Sequence, residues 1–206
     1  MRSAVVLLLS LLSLSACTVS PVAVEQRPLE ITSREVPVGS PTVHEGLTQW
    51  FFHCHPQFTC ETVPSADFKA VTVRIRTVRM KIGLSVVQQL PKGSTEKLVQ
   101  HEDGHLRICK RIYNSAKAVA EACCHNVLGK EFSAYGTNSK QAQEAALKEA
   151  AATMCAAYTR QTADVASDVS AVYDNLTAHG VADATPDEAI ERAFKEVSQV
   201  PVGRRI

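Results

Sequence analysis

The sequence predicts an α+β fold in which a small antiparallel β-sheet is followed by a long helical hairpin. Three observations lead to this prediction. Apolar and polar residues alternate along two segments in the first half of the chain, as they do in half-buried strands. In the second half, apolar residues instead recur every three to four positions, as they do in helices. The period changes after Pro91, which separates the β part from the helical part.

The first sixteen residues are typical of a bacterial signal peptide. Arg2 precedes an apolar stretch, residues 4–14, which is too short to span a bilayer. The stretch ends in Leu14-Ser15-Ala16-Cys17, which resembles the lipobox of bacterial lipoproteins. We therefore expect residues 1–16 to be removed and Cys17 to carry a lipid that attaches the chain to a membrane. The alternative is an ordinary signal-peptide cut that leaves Cys17 unmodified.

The residue after Cys17 indicates where the chain is located, and the net charge of the chain indicates which partners it could bind. Position 18 is Thr rather than Asp, and by resemblance to the lipoprotein sorting pattern we expect the outer membrane, facing the periplasm. The full chain has 22 basic and 21 acidic residues, and residues 1–16 contain Arg2 and no acid, so the mature chain has 21 of each. This balance gives no indication of a nucleic-acid partner.

Residues 17–45 are expected to form the lipid anchor and an extended tether, because this segment has four prolines and no sustained periodicity. Residues 46–206 are expected to form one domain. Within it, residues 47–54 and 68–77 have strand patterns, and the apolar phase slips by one residue at Val78, which predicts a bulge or a turn. Residues 187–197 have helical periodicity and are assigned to packing.

The cysteines after Cys17 are even in number, which favours disulfides in an oxidising compartment. Spacing favours a local bridge between Cys54 and Cys60, in preference to a metal cluster with the neighbouring histidines. A helical hairpin centred near Phe132 would place Cys109 opposite Cys155, which makes a bridge there attractive. The full set of disulfide candidates is Cys54, Cys60, Cys109, Cys123, Cys124 and Cys155.

The segment His101-Glu102-Asp103-Gly104-His105 lies on one stripe of a predicted helix that Ser94 or Thr95 could cap. Two histidines four residues apart lie on the same face and can bind one Zn²⁺ ion, and Glu102 is then placed to act as general base. Gly104 costs this helix about 1 kcal/mol relative to Ala, which suggests that substrate or another segment comes close there. The alternative is that both histidines are merely packing residues near a helix start.

The segment Tyr173-Asp174-Asn175-Leu176-Thr177-Ala178-His179-Gly180 follows the first motif. Together the two segments resemble the DUF922 family of predicted secreted zinc-dependent proteases, over roughly residues 46–180. The resemblance implies a zincin-like domain that acts on peptide or protein substrates, with His179 as third zinc ligand. It also implies that Tyr173, Asp174 or Thr177 orients ligands or substrate. The extra cysteines and the segment Val181-Ala182-Asp183 depart from the family pattern.

The third zinc ligand is left open by the residues themselves. A continuous antiparallel hairpin would place residues 158–164 opposite the motif, so His179 can reach the metal only if the second helical region is broken. Without a break, Asp164 or Asp168 would be rival ligands, or the site would have no third protein ligand.

Two functions are consistent with these observations. The first is a zinc-dependent peptidase tethered in the bacterial envelope, whose substrate is a peptide or a peptidoglycan cross-link. The second is a non-catalytic envelope lipoprotein that binds a partner through a disulfide-clipped helical domain.

Overall fold

The computed structural model of this chain describes residues 20–38, 46–66, 69–182 and 184–199. The expected signal peptide and Cys17 lie outside these residues. Within them, no helix is long and apolar enough to cross a membrane. In chain order the described elements are β1 (Val22–Gln26), β2 (Glu30–Val36), β3 (Leu47–Pro64), β4 (Ala70–Pro91), α1 (Glu96–Val127), β5 (Glu131–Tyr135), α2 (Ser139–Gln161), α3 (Ala163–Thr177) and α4 (Pro186–Gln199).

The sheet is built around β4. Along one edge, β4 pairs antiparallel with β3 over almost its whole length. Its other edge pairs with β5 antiparallel, and then with β1 and β2 parallel. The sheet is therefore mixed, and the prediction of an antiparallel sheet is wrong. It is also not small, because β3 and β4 contain 18 and 22 residues.

The phase slip at Val78 is a β-bulge. The register between β3 and β4 shifts by one at Thr59 and Cys60, which leaves Arg76 as the extra residue of β4. Because of this extra residue, Ile75 and Val78 both face the core although they are three positions apart. The slip is thus confirmed, and the strand continues through it without a turn.

The segment predicted to be an extended tether contains β1 and β2, so the assignment of all of residues 17–45 to a tether is wrong; residues 39–45 lie outside the described part. These strands hold the second edge of β4 by backbone hydrogen bonds, and β2 contributes no buried side chain. The two strands are separated by Arg27, Pro28 and Leu29, because Pro28 has no N–H to donate to the sheet. Because β1 and β2 bury little apolar surface, apolar and polar residues do not alternate strongly along them.

Helices α1 and α2 pack against one face of the sheet, and α3 and α4 pack on α1. This face of β4 is apolar from Val71 to Val86 and ends in the buried Gln88; its buried apolar residues are Val71, Val73, Ile75, Val78, Met80, Ile82, Leu84 and Val86. Helix α4 confirms the helical periodicity predicted for residues 187–197, and four of its residues are buried. The fold thus combines helices with a sheet, as predicted.

Helix α1 carries the histidine motif in its first turns. Thr95 is the N-cap, and its Oγ1 accepts a hydrogen bond from the Leu98 N–H at 3.3 Å. The 32 residues of α1 make it about 48 Å long. His101, Glu102 and His105 are all buried, so the motif lies inside the protein and not on a solvated helix face.

The second helical region is broken at Thr162, whose φ and ψ are −128° and −79°. The buried Thr162 hydroxyl donates to the Tyr158 carbonyl at 2.8 Å, which satisfies a carbonyl at the end of α2. The break separates α2 from α3 and lets α3 approach the first turns of α1. The predicted helical hairpin is therefore interrupted. Such a break is what residues near the end of the second helical region need in order to contact the histidine motif.

The disulfide connects Cys54 of β3 to Cys155 of α2, with the two Cα atoms 5.8 Å apart. The predicted Cys54–Cys60 bridge is wrong, because six residues of extended strand span about 20 Å. A Cys109–Cys155 bridge is also wrong, since Cys109 is buried in the core while Cys155 contacts β3. Among the described cysteines, the free ones are Cys60, Cys109, Cys123 and Cys124.

The free thiols differ in their access to solvent. Burial raises the pKa of the Cys109 thiol to about 12 and that of Cys124 to about 11. Cys60 is only partly buried. Since thiolates are the reactive form, Cys60 is the free cysteine best placed to react.

This arrangement predicts the outcome of peptide mapping. After tryptic digestion without reduction, the peptide that contains both Cys54 and Cys60 should be linked to the peptide that contains Cys155. Iodoacetamide applied to the native chain should label Cys60 faster than Cys109. An internal bridge in the first peptide, with Cys155 alkylated, would contradict the structure.

Candidate metal centre

Three side chains from two helices converge on one point. His101 and His105 of α1 place their Nε2 atoms 3.3 Å apart. The Asp174 Oδ1 atom of α3 lies 3.2 Å from the first and 3.0 Å from the second. Within the described residues, these three form the group of His, Cys, Asp or Glu side chains arranged to hold a metal ion. We call this group the ligand triangle.

His101 is oriented by α3. Its Nδ1 lies 3.1 Å from the Thr177 Oγ1, and this hydroxyl also contacts the Tyr173 carbonyl at 2.8 Å. If the hydroxyl donates to the carbonyl, it accepts from Nδ1–H, which leaves the Nε2 lone pair of His101 facing the triangle. The prediction that Thr177 orients a ligand agrees with this contact.

Tyr173 packs against both histidines. Its ring stacks on His101 with centroids 5.1 Å apart and meets the His105 ring edge-on at 5.2 Å. Its hydroxyl donates to the His101 carbonyl at 3.3 Å. Burial raises the pKa of Tyr173 to about 12, which keeps this hydroxyl protonated. Tyr173 therefore has the supporting position that the sequence predicted for it.

Gly104 makes this packing possible. A Cβ atom at position 104 would lie 2.1 Å from the Tyr173 hydroxyl oxygen and 2.4 Å from the ring carbon that bears it. No side chain fits in that space. The close approach predicted from Gly104 is thus confirmed, and the approaching segment is α3.

His105 is covered by the sheet. The Trp50 ring of β3 stacks over it with centroids 6.2 Å apart. The Nδ1 atom of His105 is buried and has no hydrogen-bond partner. Packing, and not a hydrogen bond to Nδ1, therefore holds this imidazole.

Glu102 is held by β3 and β4. Thr48 of β3 donates to the Glu102 Oε2 at 2.6 Å, and Gln88 of β4 donates to the Glu102 backbone carbonyl at 3.0 Å. The other carboxylate oxygen, Oε1, lies against Gly46, where a Cβ atom would come within 2.7 Å of it. Gly46 has a φ of +97°, so glycine is needed there for conformation as well as for space.

Asp174 is partly buried, and its Oδ1 atom has no well-aligned hydrogen bond although both imidazoles are near. Burial raises the pKa of the Asp174 carboxyl, but the proximity of His101 and His105 outweighs burial, and the net pKa lies below its ordinary value. The carboxylate is therefore charged, close to two nitrogen atoms, and lacks a fully satisfying partner.

This triangle fits a zinc ion. Zinc binds imidazole nitrogen and carboxylate oxygen at about 2.0–2.2 Å, and neighbouring ligands of a tetrahedron around it lie about 3.3–3.5 Å apart. The three observed separations are 3.0, 3.2 and 3.3 Å. A buried, unsatisfied carboxylate oxygen at one corner is also what a cation would neutralise.

His179, the predicted third ligand, is not a member of the triangle. Its Nδ1 lies 3.9 Å from the Asp174 Oδ1, and 65% of its side chain is exposed. Asp164 and Asp168 are also outside the triangle, about 15 and 9 Å before Asp174 along the axis of α3. The sequence prediction included Asp174 only as an orienting residue, so its corner position differs from the predicted ligand set.

The family resemblance assigns Asp174 an orienting role, and a continuous hairpin favours Asp164 or Asp168 as rival ligands. The second helical region is broken at Thr162, where the sequence has neither a glycine nor a proline. A usable signal was the spacing of Tyr173, Asp174 and Thr177, which places all three on neighbouring positions of one helical turn. The support of Glu102 by Thr48 and Gln88 gave no sequence signal.

Comparisons of the chain with protein-family models, curated proteins and solved structures give no significant match. The resemblance to the DUF922 family therefore stays a prediction from the two motifs.

The contact at Gly104 predicts the sign of a stability change. Ala in place of Gly stabilises an open helical position by about 1 kcal/mol. Gly104→Ala should instead lower the free energy of unfolding by about 1–3 kcal/mol, because overpacking displaces Tyr173. Urea denaturation measures the change.

The matched control is the same substitution in a Tyr173→Ala background, where the collision is absent. There, Gly104→Ala should be neutral or stabilising, so the two changes should couple in a double-mutant cycle. A stabilising Gly104→Ala in the otherwise unchanged chain would show that the helices do not approach as described.

Proposed function

We propose that this chain is a zinc-dependent peptidase whose metal is held by His101, His105 and Asp174. The observation that carries the proposal is the ligand triangle, and Glu102, the residue that follows His101 on α1, is also buried. Three protein ligands are the number found in catalytic zinc sites, which keep one position for water or substrate. The signal-peptide pattern and Cys17 support a location in the bacterial envelope, where a lipid would tether the enzyme.

The chemistry divides among the residues as follows. Bound zinc would supply Lewis acidity that polarises an amide carbonyl and lowers the pKa of water. Glu102 would take the proton from the attacking water and deliver it to the leaving amine. Thr48 donates to one oxygen of the Glu102 carboxylate at 2.6 Å, and the other oxygen lies against Gly46.

The supporting residues keep the geometry fixed. Thr177 contacts His101 at Nδ1, so Nε2 is the nitrogen that faces the triangle, and Tyr173 and Trp50 pack the two imidazoles in place. The ligands come from α1 and α3, and Glu102 lies on α1 between two of them, where Thr48 of β3 and Gln88 of β4 also hold it. Preorganisation of this kind limits the reorganisation needed during the reaction.

Metal content tests the ligand set. The purified wild-type chain should contain one zinc ion, measured by mass spectrometry, and both His105→Ala and Asp174→Ala should lose it. The matched control is Asp168→Ala on the same helix, which should keep it. Loss of zinc in His179→Ala together with retention in Asp174→Ala would contradict this ligand set and favour His179.

Substitution of Glu102 tests the reaction. Glu102→Gln keeps the size of the side chain but removes the base, so it should retain zinc and lose peptide hydrolysis by about 100-fold or more. Hydrolysis is measured with a library of fluorescence-quenched peptides. The control is Asp103→Asn, which neutralises an exposed carboxylate at the next position and should change the rate of hydrolysis little. Equal hydrolysis by the wild type and Glu102→Gln would contradict the assigned role.

A further inference from the structure

His179 occupies a distinct position beside the ligand triangle. Its Nδ1 lies 3.9 Å from the Asp174 Oδ1, and its ring centroid lies 6.3 Å from that of His101. Its side chain is 65% exposed, whereas His101 and His105 are buried. His179 is therefore close to the ligands but open to any molecule that reaches them.

The backbone fixes His179 in this position at some conformational cost. Ala178 and His179 have φ values of 45° and 54°, in the left-handed region that non-glycine residues rarely adopt. The His179 N–H donates to the Asp174 carbonyl at 3.2 Å, and the Gly180 N–H donates to the Thr177 carbonyl at 3.0 Å. Strained residues of this kind persist where the surrounding structure determines them, and they concentrate at functional sites.

Gly180 brings this turn against the first ligand. A Cβ atom at position 180 would lie 3.0 Å from the His101 Cβ, so the chain passes directly over His101. The φ of Gly180 is +85°, which makes three consecutive left-handed residues. The turn thus follows one path, and that path presents the His179 imidazole beside the triangle.

The other polar side chains that contact the triangle from α3 are already engaged. The Tyr173 hydroxyl is buried and donates to the His101 carbonyl. The Thr177 hydroxyl is buried between the Tyr173 carbonyl and the His101 imidazole. His179 lies just beyond the end of α3, and of Tyr173, Thr177 and His179 it is the one whose side chain is exposed.

We infer that His179 is a catalytic residue that donates a hydrogen bond to the carbonyl oxygen of the bound amide. This inference rests on the proposed function. As water attacks, this oxygen gains negative charge, and a donor already aimed at it stabilises the transition state more than the substrate. Glu102 handles the proton from the side of β3, and His179 stabilises the oxygen from the end of α3.

Binding of acetohydroxamate to the zinc-loaded full chain tests this role without requiring a known substrate. The probe combines a zinc-binding group with an oxygen that carries negative charge. The informative variant is His179→Gly, because glycine relieves the left-handed strain and so protects the fold while removing the donor. His125→Gly, at an exposed histidine in the last turn of α1, is the control for loss of an imidazole.

The expected result is full zinc content in all three proteins and acetohydroxamate binding weakened about 10- to 100-fold in His179→Gly only, as for loss of one hydrogen bond to a charged group. Equal affinity in the wild type and His179→Gly would overturn the inference and leave the metal site in place. Loss of zinc in His179→Gly would also overturn it, since His179 would then be a ligand. A wild type that binds no zinc would overturn the proposed function and this inference together.

Discussion

The insertion of the Tyr173 ring into the space left by Gly104 is the contact on which the candidate site depends. It sets how closely α3 approaches α1, since any side chain at position 104 would overlap the tyrosine. That approach in turn places Asp174 beside the two histidines and Thr177 beside the His101 Nδ1. A residue with no side chain therefore determines the geometry of residues that carry the chemistry, which explains its place in the middle of a helix despite its low helix propensity.

The sheet provides a second, independent support. Thr48 and Gln88 lie on adjacent strands whose register pairs them directly, and both donate to Glu102. The disulfide between Cys54 and Cys155 connects the same strand, β3, to α2. The strand β3 therefore contacts both Glu102, through Thr48, and His105, through the stacked ring of Trp50.

Much of this could be predicted from sequence, where the signal was local. The capped helix, the bulge after Ile75, the close contact at Gly104 and the final helix each follow from patterns within a few residues. The errors concern distant partners. The pairing of β1 and β2 with β4 depends on backbone hydrogen bonds that leave little apolar pattern, and the Cys54–Cys155 bridge joins residues 101 positions apart. The break between α2 and α3 occurs at Thr162, which is neither a glycine nor a proline.

The difference between Asp174 and His179 arises where α3 ends after Thr177, and it has a chemical consequence. A fourth protein ligand would close a zinc site in the manner of structural sites, whereas three ligands leave a position open. His179 is near enough to influence a molecule in that position, yet it is exposed and held in a strained turn beyond the end of α3. A metal that only stabilised the fold would give no reason to maintain that strain, because the two histidines are already buried and supported by Tyr173, Thr177 and Trp50. The strained turn therefore favours a site that acts on a bound molecule over one that only stabilises the fold.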